Sequence, residues 1–278
     1  METRMSNLQS LYQSRYGDAN AQSPTANNPM IELLLRHRSV RAYAPDRAVS
    51  DDQLEAIIAA AQSAASSSNL QAWSVVAVRD EARKARLAAL AGNQKHIEDA
   101  PLQLVWLADL ARLERVAQSV GRPSAALDYT EMLMVGVIDA SLAAQNAAVA
   151  AESLGLSLVY IGGMRNKPEE VAEVLGLPPR VVAVFGMCIG YEDDSKPASI
   201  KPRPPQPVVL HRETYDLPAQ DEGIARYNAA MARFYEEQGM NVRGSWADHS
   251  AKRVAGPETL SGRDRLVEAL ANRGFPLK

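Results

Sequence analysis

Residues 127–163 read LDYTEMLMVGVIDASLAAQNAAVAAESLGLSLVYIGG. Residues 127–154 are Ala-rich and apolar on most sides, and Gly155 supplies the stop, so this stretch is predicted as the longest helix of the chain. A helix that is apolar all round must be buried, in a core or against another subunit. Residues 156–161 then form a short apolar run that ends on paired glycines. Residues 73–79, 102–108 and 181–189 are runs of the same kind, bounded by turn or charged residues, and all four are predicted as buried strands.

Around these strands the patterning is helical. Residues 31–36 form a short amphipathic helix that leads into His37, and Pro45 interrupts any continuation. Ser50 and Gln53 make a capping box for a helix through Ala61, and residues 83–91 read as another. Asn166, Pro168 and Glu169 read as cap, first position and box partner of a helix between the last two strands. Residues 221–238 and 245–272 are helical by pattern, with a break at 239–244. This makes four strands among about eight helices. The Pro-rich residues 196–207 are expected to run extended. Residues 1–29 are polar, with Tyr12 and Tyr16 spaced to share a helical face, and are read as an arm before a domain of residues 30–278. No internal repeat and no dividing linker stands out.

Composition excludes several functions. With 278 residues, 46% hydrophobic, a formal net charge of −3 and a pI near 5.9, the chain can bury a core but has no basic field for nucleic acid or an anionic membrane. A single cysteine, Cys188, inside an apolar run, argues against a disulfide framework, a Cys-rich metal site and a nucleophilic-cysteine enzyme, and points to a reducing, cytoplasmic setting. No apolar run is read as reaching the roughly 18 residues of a membrane helix, and the polar N-terminus lacks a signal peptide's core. Four histidines show no paired metal spacing, and there is no GxSxG elbow. No metal is expected.

Several short blocks could carry chemistry. His37, Arg38, Ser39 and Arg41 place two guanidinium groups, an imidazole and a hydroxyl just after a helix, a donor set suited to phosphate but equally that of a solvated basic turn. Lys201 and Arg203 form a second basic pair on the stiff Pro-rich segment, which could also be a plain surface linker. The two become informative only together. Residues 66–71, SSSNLQ, end directly before a strand, where donors can point into a cleft or simply link elements. Tyr160, Ile161, Gly162 and Gly163 close a strand with glycines that let backbone N–H groups approach a ligand, although a plain turn explains them as well. They are not a GxGxxG fingerprint.

Taken in order, HRSVR (37–41), SSSNLQ (66–71), GNQKH (92–96), VYIGG (159–163), FGMCIGY (185–191) and KPRPPQPVVLHRETY (201–215) resemble the nitroreductase family of flavoproteins, in its oxygen-insensitive, NADPH-dependent branch. The resemblance covers about residue 30 onward. It implies an α+β fold, a mostly antiparallel sheet flanked by helices, in a domain-swapped homodimer with two flavin mononucleotide (FMN) molecules at the interface. It also implies that His37, Arg38, Ser39, Arg41, Lys201 and Arg203 hold the flavin, chiefly at its phosphate. Ser66 and Gln94 would bind from loops, Gln94 at the pyrimidine edge, and residues 160–163 would lie along the ring with a backbone N–H near N5. The chemistry implied is ping-pong hydride transfer from NADPH to a nitroaromatic, a quinone or a similar small electrophile, with no catalytic side chain. A flavin reductase that releases reduced flavin, or a flavin-binding sensor without useful turnover, is the alternative. The pattern N-x-R-x-x-W-x-D-H at 241–249 resembles the branch's contact with the NADPH 2′-phosphate, and makes Arg243 its candidate. Asn69 and Ala72 lie in a loop where substrate-facing residues vary, so the acceptor is not legible from these blocks.

Overall fold

Two strands are buried along nearly their whole length, and their sequences show why. β2 (Leu102–Asp109, LQLVWLAD) and β4 (Val181–Gly190, VVAVFGMCIG) are continuous apolar runs, as strands covered on both faces must be. The computed structural model describes residues 2–278, with side chains from residue 8 onward. Its one sheet among these residues has the order β1-β2-β4-β3, with β1 at Trp73–Val78 and β3 at Ser157–Ile161, and every pairing is antiparallel. The two longest strands therefore sit in the middle. Alternate residues of β2 enter two different cores: Leu102, Leu104 and Trp106 one, Val105 and Leu107 the other.

The chain divides into two compact units. The larger, Ser39–Ala198 with Leu260–Lys278, holds the sheet. On one face lie α3 (Asp51–Gln62) and α7 (Thr130–Ser153), joined through a core that contains Ile57, Ala61, Trp106, Ala143, Ala144, Ala147 and Ala151. The small alanine side chains let α7 lie close to its neighbours. The Ser50–Gln53 capping box of α3 is present in both directions. On the other face, α4 (Glu81–Leu90), α5 (Lys95–Asp99) and α8 (Pro168–Leu175) contribute Leu87, Ala88, Ile97 and Val171 to the second core. The unit is completed by α6 (Ala111–Ser119) and α11 (Leu266–Asn272).

The smaller unit, Met1–Arg38 with Ser199–Thr259, is helical. It contains α1 (Glu2–Tyr16), α2 (Pro29–Leu35), α9 (Asp221–Glu237) and α10 (Trp246–Arg253). Tyr12 and Tyr16 do share a face of α1, with ring centroids 5.1 Å apart.

Four expectations need correction. The helix after β3 starts at Pro168 with Lys167 as its cap residue, and no side chain caps it. Asn166 is drawn away because its Oδ1 accepts from Arg263 Nε at 2.8 Å, and Glu169 instead accepts from Asn272. Residues 245–272 are not one helix: 3-10 turns at Pro257–Leu260 and Arg263–Arg265 separate α10 from α11. Helix α6 was not foreseen, and the described residues hold eleven α-helices rather than about eight. Finally, α7 is long and apolar enough to cross a membrane by length and composition. Its residues Val135, Asp139, Ala140, Ala143, Ala147 and Ala151 are buried, as in the core helix of a folded unit.

Candidate functional site

In the smaller unit, the two basic segments come together on one guanidinium. Arg15, in the last turn of α1, donates from Nη2 to Leu35 O at 2.7 Å and His37 O at 2.6 Å, and from Nη1 to Lys201 O at 3.2 Å. Its own carbonyl accepts from Arg203 N at 2.8 Å. The turn bearing His37 and Arg38 and the segment bearing Lys201 and Arg203 are thus placed side by side, although far apart in sequence. The intervening Pro202 is buried, and its carbonyl accepts from Tyr227 Oη at 3.2 Å. Arg203 is exposed, and its Nη1 donates to the carbonyls of Lys201 and Pro202.

The same unit holds Arg243. Its carbonyl is bonded to His249 Nε2 at 2.8 Å, which requires that ring nitrogen to carry the proton. Ser245 and Asp248 form the capping box of α10, and bonds from Ser245 hold the Asp248 carboxyl below the usual range. Trp246 packs edge-on to Tyr227, with centroids 5.1 Å apart. The loop backbone is therefore fixed by groups other than the Arg243 side chain, which is exposed.

In the larger unit, Ser39 and Val40 pair with β3. Ser39 forms a parallel bridge with Leu158, and Val40 N donates to Leu158 O at 3.0 Å. Ser39 and Arg41 are exposed, while Val40 and Tyr43 are buried between them and the core. Burial and then Arg41 depress the pKa of His96.

The loop before β1 is built around an acid that sequence reading missed. Asp139, on the buried face of α7 and 1% exposed, accepts from Ser66 Oγ at 2.7 Å, Ser67 N at 3.1 Å and Ala72 N at 3.1 Å. Ser66 Oγ in turn accepts from Gln71 N at 2.8 Å. The Ser66 hydroxyl is thereby committed to shaping the loop, and Ser68, Asn69 and Gln71 take left-handed φ values of 49°, 54° and 52°. An acid in the apolar middle of the helix was the available signal.

The paired glycines at the end of β3 differ. A Cβ on Gly163 would lie 2.5 Å from Ala91 O and 2.8 Å from Gln94 Nε2, so this glycine is required by packing against the end of α4. A Cβ on Gly162 would meet nothing nearer than Arg165 Nη2 at 3.7 Å and Arg263 Nη1 at 3.9 Å. Gly162 is the open position, flanked by two guanidinium groups that sequence reading also missed. Arg165 is anchored to Val184 O, and burial lowers its pKa. Gln94 spends its Nε2 on Ala91 O at 2.7 Å. Tyr160 is half-buried, edge-on to Phe185 at 5.3 Å, and burial raises its pKa. Ile161 is fully in the core. Among the described residues, no group of His, Cys, Asp and Glu is arranged to hold a metal.

Comparison with known proteins gives consistent matches. Residues 34–191 match the model of the nitroreductase family, and residues 201–278 match that of the nitroreductase family C-terminal domain. The chain is 43% identical over 249 residues to an oxygen-insensitive NADPH nitroreductase of Salmonella typhimurium, covering 89% of this chain and 98% of that protein. It is 38% identical to an FMN reductase (NADPH) of Bacillus subtilis, over 80% of this chain and 89% of the relative. The solved NADPH:FMN oxidoreductase of Vibrio harveyi, complexed with NAD+, superposes with a TM-score of 0.78 at 35% identity, over 90% of this chain and all of that one.

Proposed function

Since this chain belongs to the nitroreductase family, we propose that it is an FMN-dependent NAD(P)H oxidoreductase that reduces nitroaromatics, quinones or similar small electrophiles, with NADPH as donor. The observation that carries this reading is the meeting of the His37 and Lys201 main chains on Arg15, which puts two basic segments in one place.

The donor set fits a phosphate monoester. His37, Arg38, Lys201 and Arg203, with Ser39 and Arg41 next along the chain, offer guanidinium, ammonium, imidazole and hydroxyl donors and include no carboxylate. When bound, FMN would supply two-electron hydride chemistry between reduced nicotinamide and the acceptor. The protein's part is to bind and orient. Gln94, with its Nε2 spent on Ala91, offers Oε1 as an acceptor for a ring N–H. Ser66 acts through the loop it shapes with Asp139, and the open backbone at Gly162 permits a flat group to approach. Arg165 and Arg263 beside Gly162 favour negative charge at that strand end.

We extend the proposal to a homodimer. Met134, Ile138 and Leu142 are exposed at four-residue spacing on α7, a stripe of one helix face that a second copy would cover. Light scattering checks this, and a flavin-loaded monomer at micromolar concentration would remove it.

The activity is tested by mixing the purified protein anaerobically with NADPH and then NADH while following flavin absorbance. Bleaching by NADPH, with colour restored by a quinone or a nitroaromatic, is expected. A yellow protein that neither donor bleaches would be a flavin-binding sensor, and the reading would fall. The Bacillus relative's name favours one second reading, release of reduced flavin. It holds if added FMN is turned over as efficiently as a quinone.

A further inference from the structure

Helix α1 lies ahead of residue 34, where the family match begins. We propose that Arg15 is a positioning residue for the flavin phosphate, acting by holding the main chains of His37 and of Lys201 and Arg203 in fixed relation; this rests on the reading of those residues as the phosphate set.

The argument starts from burial. Arg15 is 8% exposed, and a guanidinium removed from water needs acceptors for its N–H groups. It finds three of them on main-chain carbonyls of two other segments. Leu35 ends α2, so its carbonyl has no partner inside that helix, and a cation there also meets the negative end of the helix dipole. His37 lies two residues on, and the same Nη2 bonds both carbonyls. Nη1 takes the Lys201 carbonyl, and the Arg15 carbonyl takes the Arg203 N–H. One residue therefore fixes the peptide units at 35, 37, 201 and 203. A flexible Lys or Arg side chain is only as well placed as the backbone beneath it.

Helix α1 is itself secured within the same unit. Gln206 Nε2 donates to Tyr12 Oη at 2.9 Å, and Arg233 Nη2 donates to Gly17 O at 2.8 Å. Gly17 ends the helix at a φ of +59°, and a Cβ there would lie 3.0 Å from both Pro202 Cγ and Ala230 Cβ. The arm is thus pressed against Pro202, between the two basic residues it orients.

The test separates phosphate positioning from general support. The full-length protein, stripped of flavin, is titrated with FMN and with riboflavin, which lacks the phosphate, and binding is read from flavin fluorescence. Arg15→Met is expected to weaken FMN roughly tenfold or more, the scale seen when partners that orient a metal's ligands are removed, and to leave riboflavin unchanged. Added to a Lys201→Ala/Arg203→Ala background, it should have little further effect on FMN, because the side chains it positions are gone. Arg15→Lys, which keeps a cation but not the fork, is expected to show the same selectivity at smaller size and serves if Arg15→Met does not fold. Equal weakening of FMN and riboflavin, or unchanged FMN binding while the Lys201/Arg203 double variant is weakened, overturns the positioning role. If the double variant itself binds FMN as tightly as the parent, the phosphate assignment is what fails.

Discussion

Ser66 Oγ donates to Asp139 Oδ2 at 2.7 Å, so a loop hydroxyl and a carboxylate buried on α7 form one structural unit. Two backbone N–H groups, of Ser67 and Ala72, end on the same carboxylate. Asp139→Ala would leave these donors without an acceptor in a dry setting, at a cost of about 2–4 kcal/mol. Thermal unfolding should show a clear loss, and the 66–71 loop should become open to proteolysis. An unaltered melting temperature would mean that water or another acceptor replaces the acid.

The two glycines after β3 should respond in opposite ways to an added methyl group. Gly163→Ala places a Cβ 2.5 Å from Ala91 O and forces the backbone to move, costing about 1–3 kcal/mol. Gly162→Ala meets nothing nearer than 3.7 Å and should leave stability alone while affecting whatever approaches the strand end. Denaturant midpoints of the pair decide it, and a similar loss in both would refute the distinction.

For Arg243, the bond from His249 to its carbonyl survives truncation of the side chain. Arg243→Ala should therefore keep its melting temperature. If the guanidinium meets the NADPH 2′-phosphate, losing it costs about 1–2 kcal/mol, or roughly 5- to 30-fold in KM for NADPH, with NADH unaffected. Equal effects on both donors would make Arg243 a structural residue.

A pH effect follows from His96. Burial first and Arg41 second hold its pKa below the ordinary histidine value, while Asp99 acts in the opposite sense, and its buried Nε2 has no hydrogen-bond partner among the described residues. The unfolded chain therefore takes up the proton first as pH falls. This contribution to stability is complete above about 6.5 and is lost below it, down through the folded value. In Arg41→Ala the NMR titration midpoint of His96 should move up. A midpoint that stays put would show that Arg41 is screened from the ring.

Much of the larger unit was readable because its residues solve one local problem each. The continuous apolar runs of β2 and β4 read as buried strands, as they are, and Ser50 with Gln53 closes on itself within a single turn. Asn166 failed as a cap because a distant guanidinium, Arg263, competes for its side chain. Helix α6 is only nine residues long, no side chain caps its start and none of its residues is fully buried, so neither length nor a cap marks it in the sequence. In the site, the basic blocks were visible as types, but their meeting depends on Arg15, a residue of an otherwise polar arm. Asp139 was hidden in an apolar helix, since two of its three partners are backbone groups that have no signature in sequence.

Cys188 is fully buried in β4, the strand hydrogen-bonded on both sides, and burial pushes its thiol up to about 12. A reagent that needs a thiolate meets none at the surface of the folded chain, whose only sulfhydryl this is. The Cys188 side chain lies in the core with Leu87, Ile97 and Val171, so fraying of the surface loops does not uncover it, whereas opening of that core does. The rate at which a thiol probe labels the native protein is therefore a measure of how often this core opens, obtained without adding any tag.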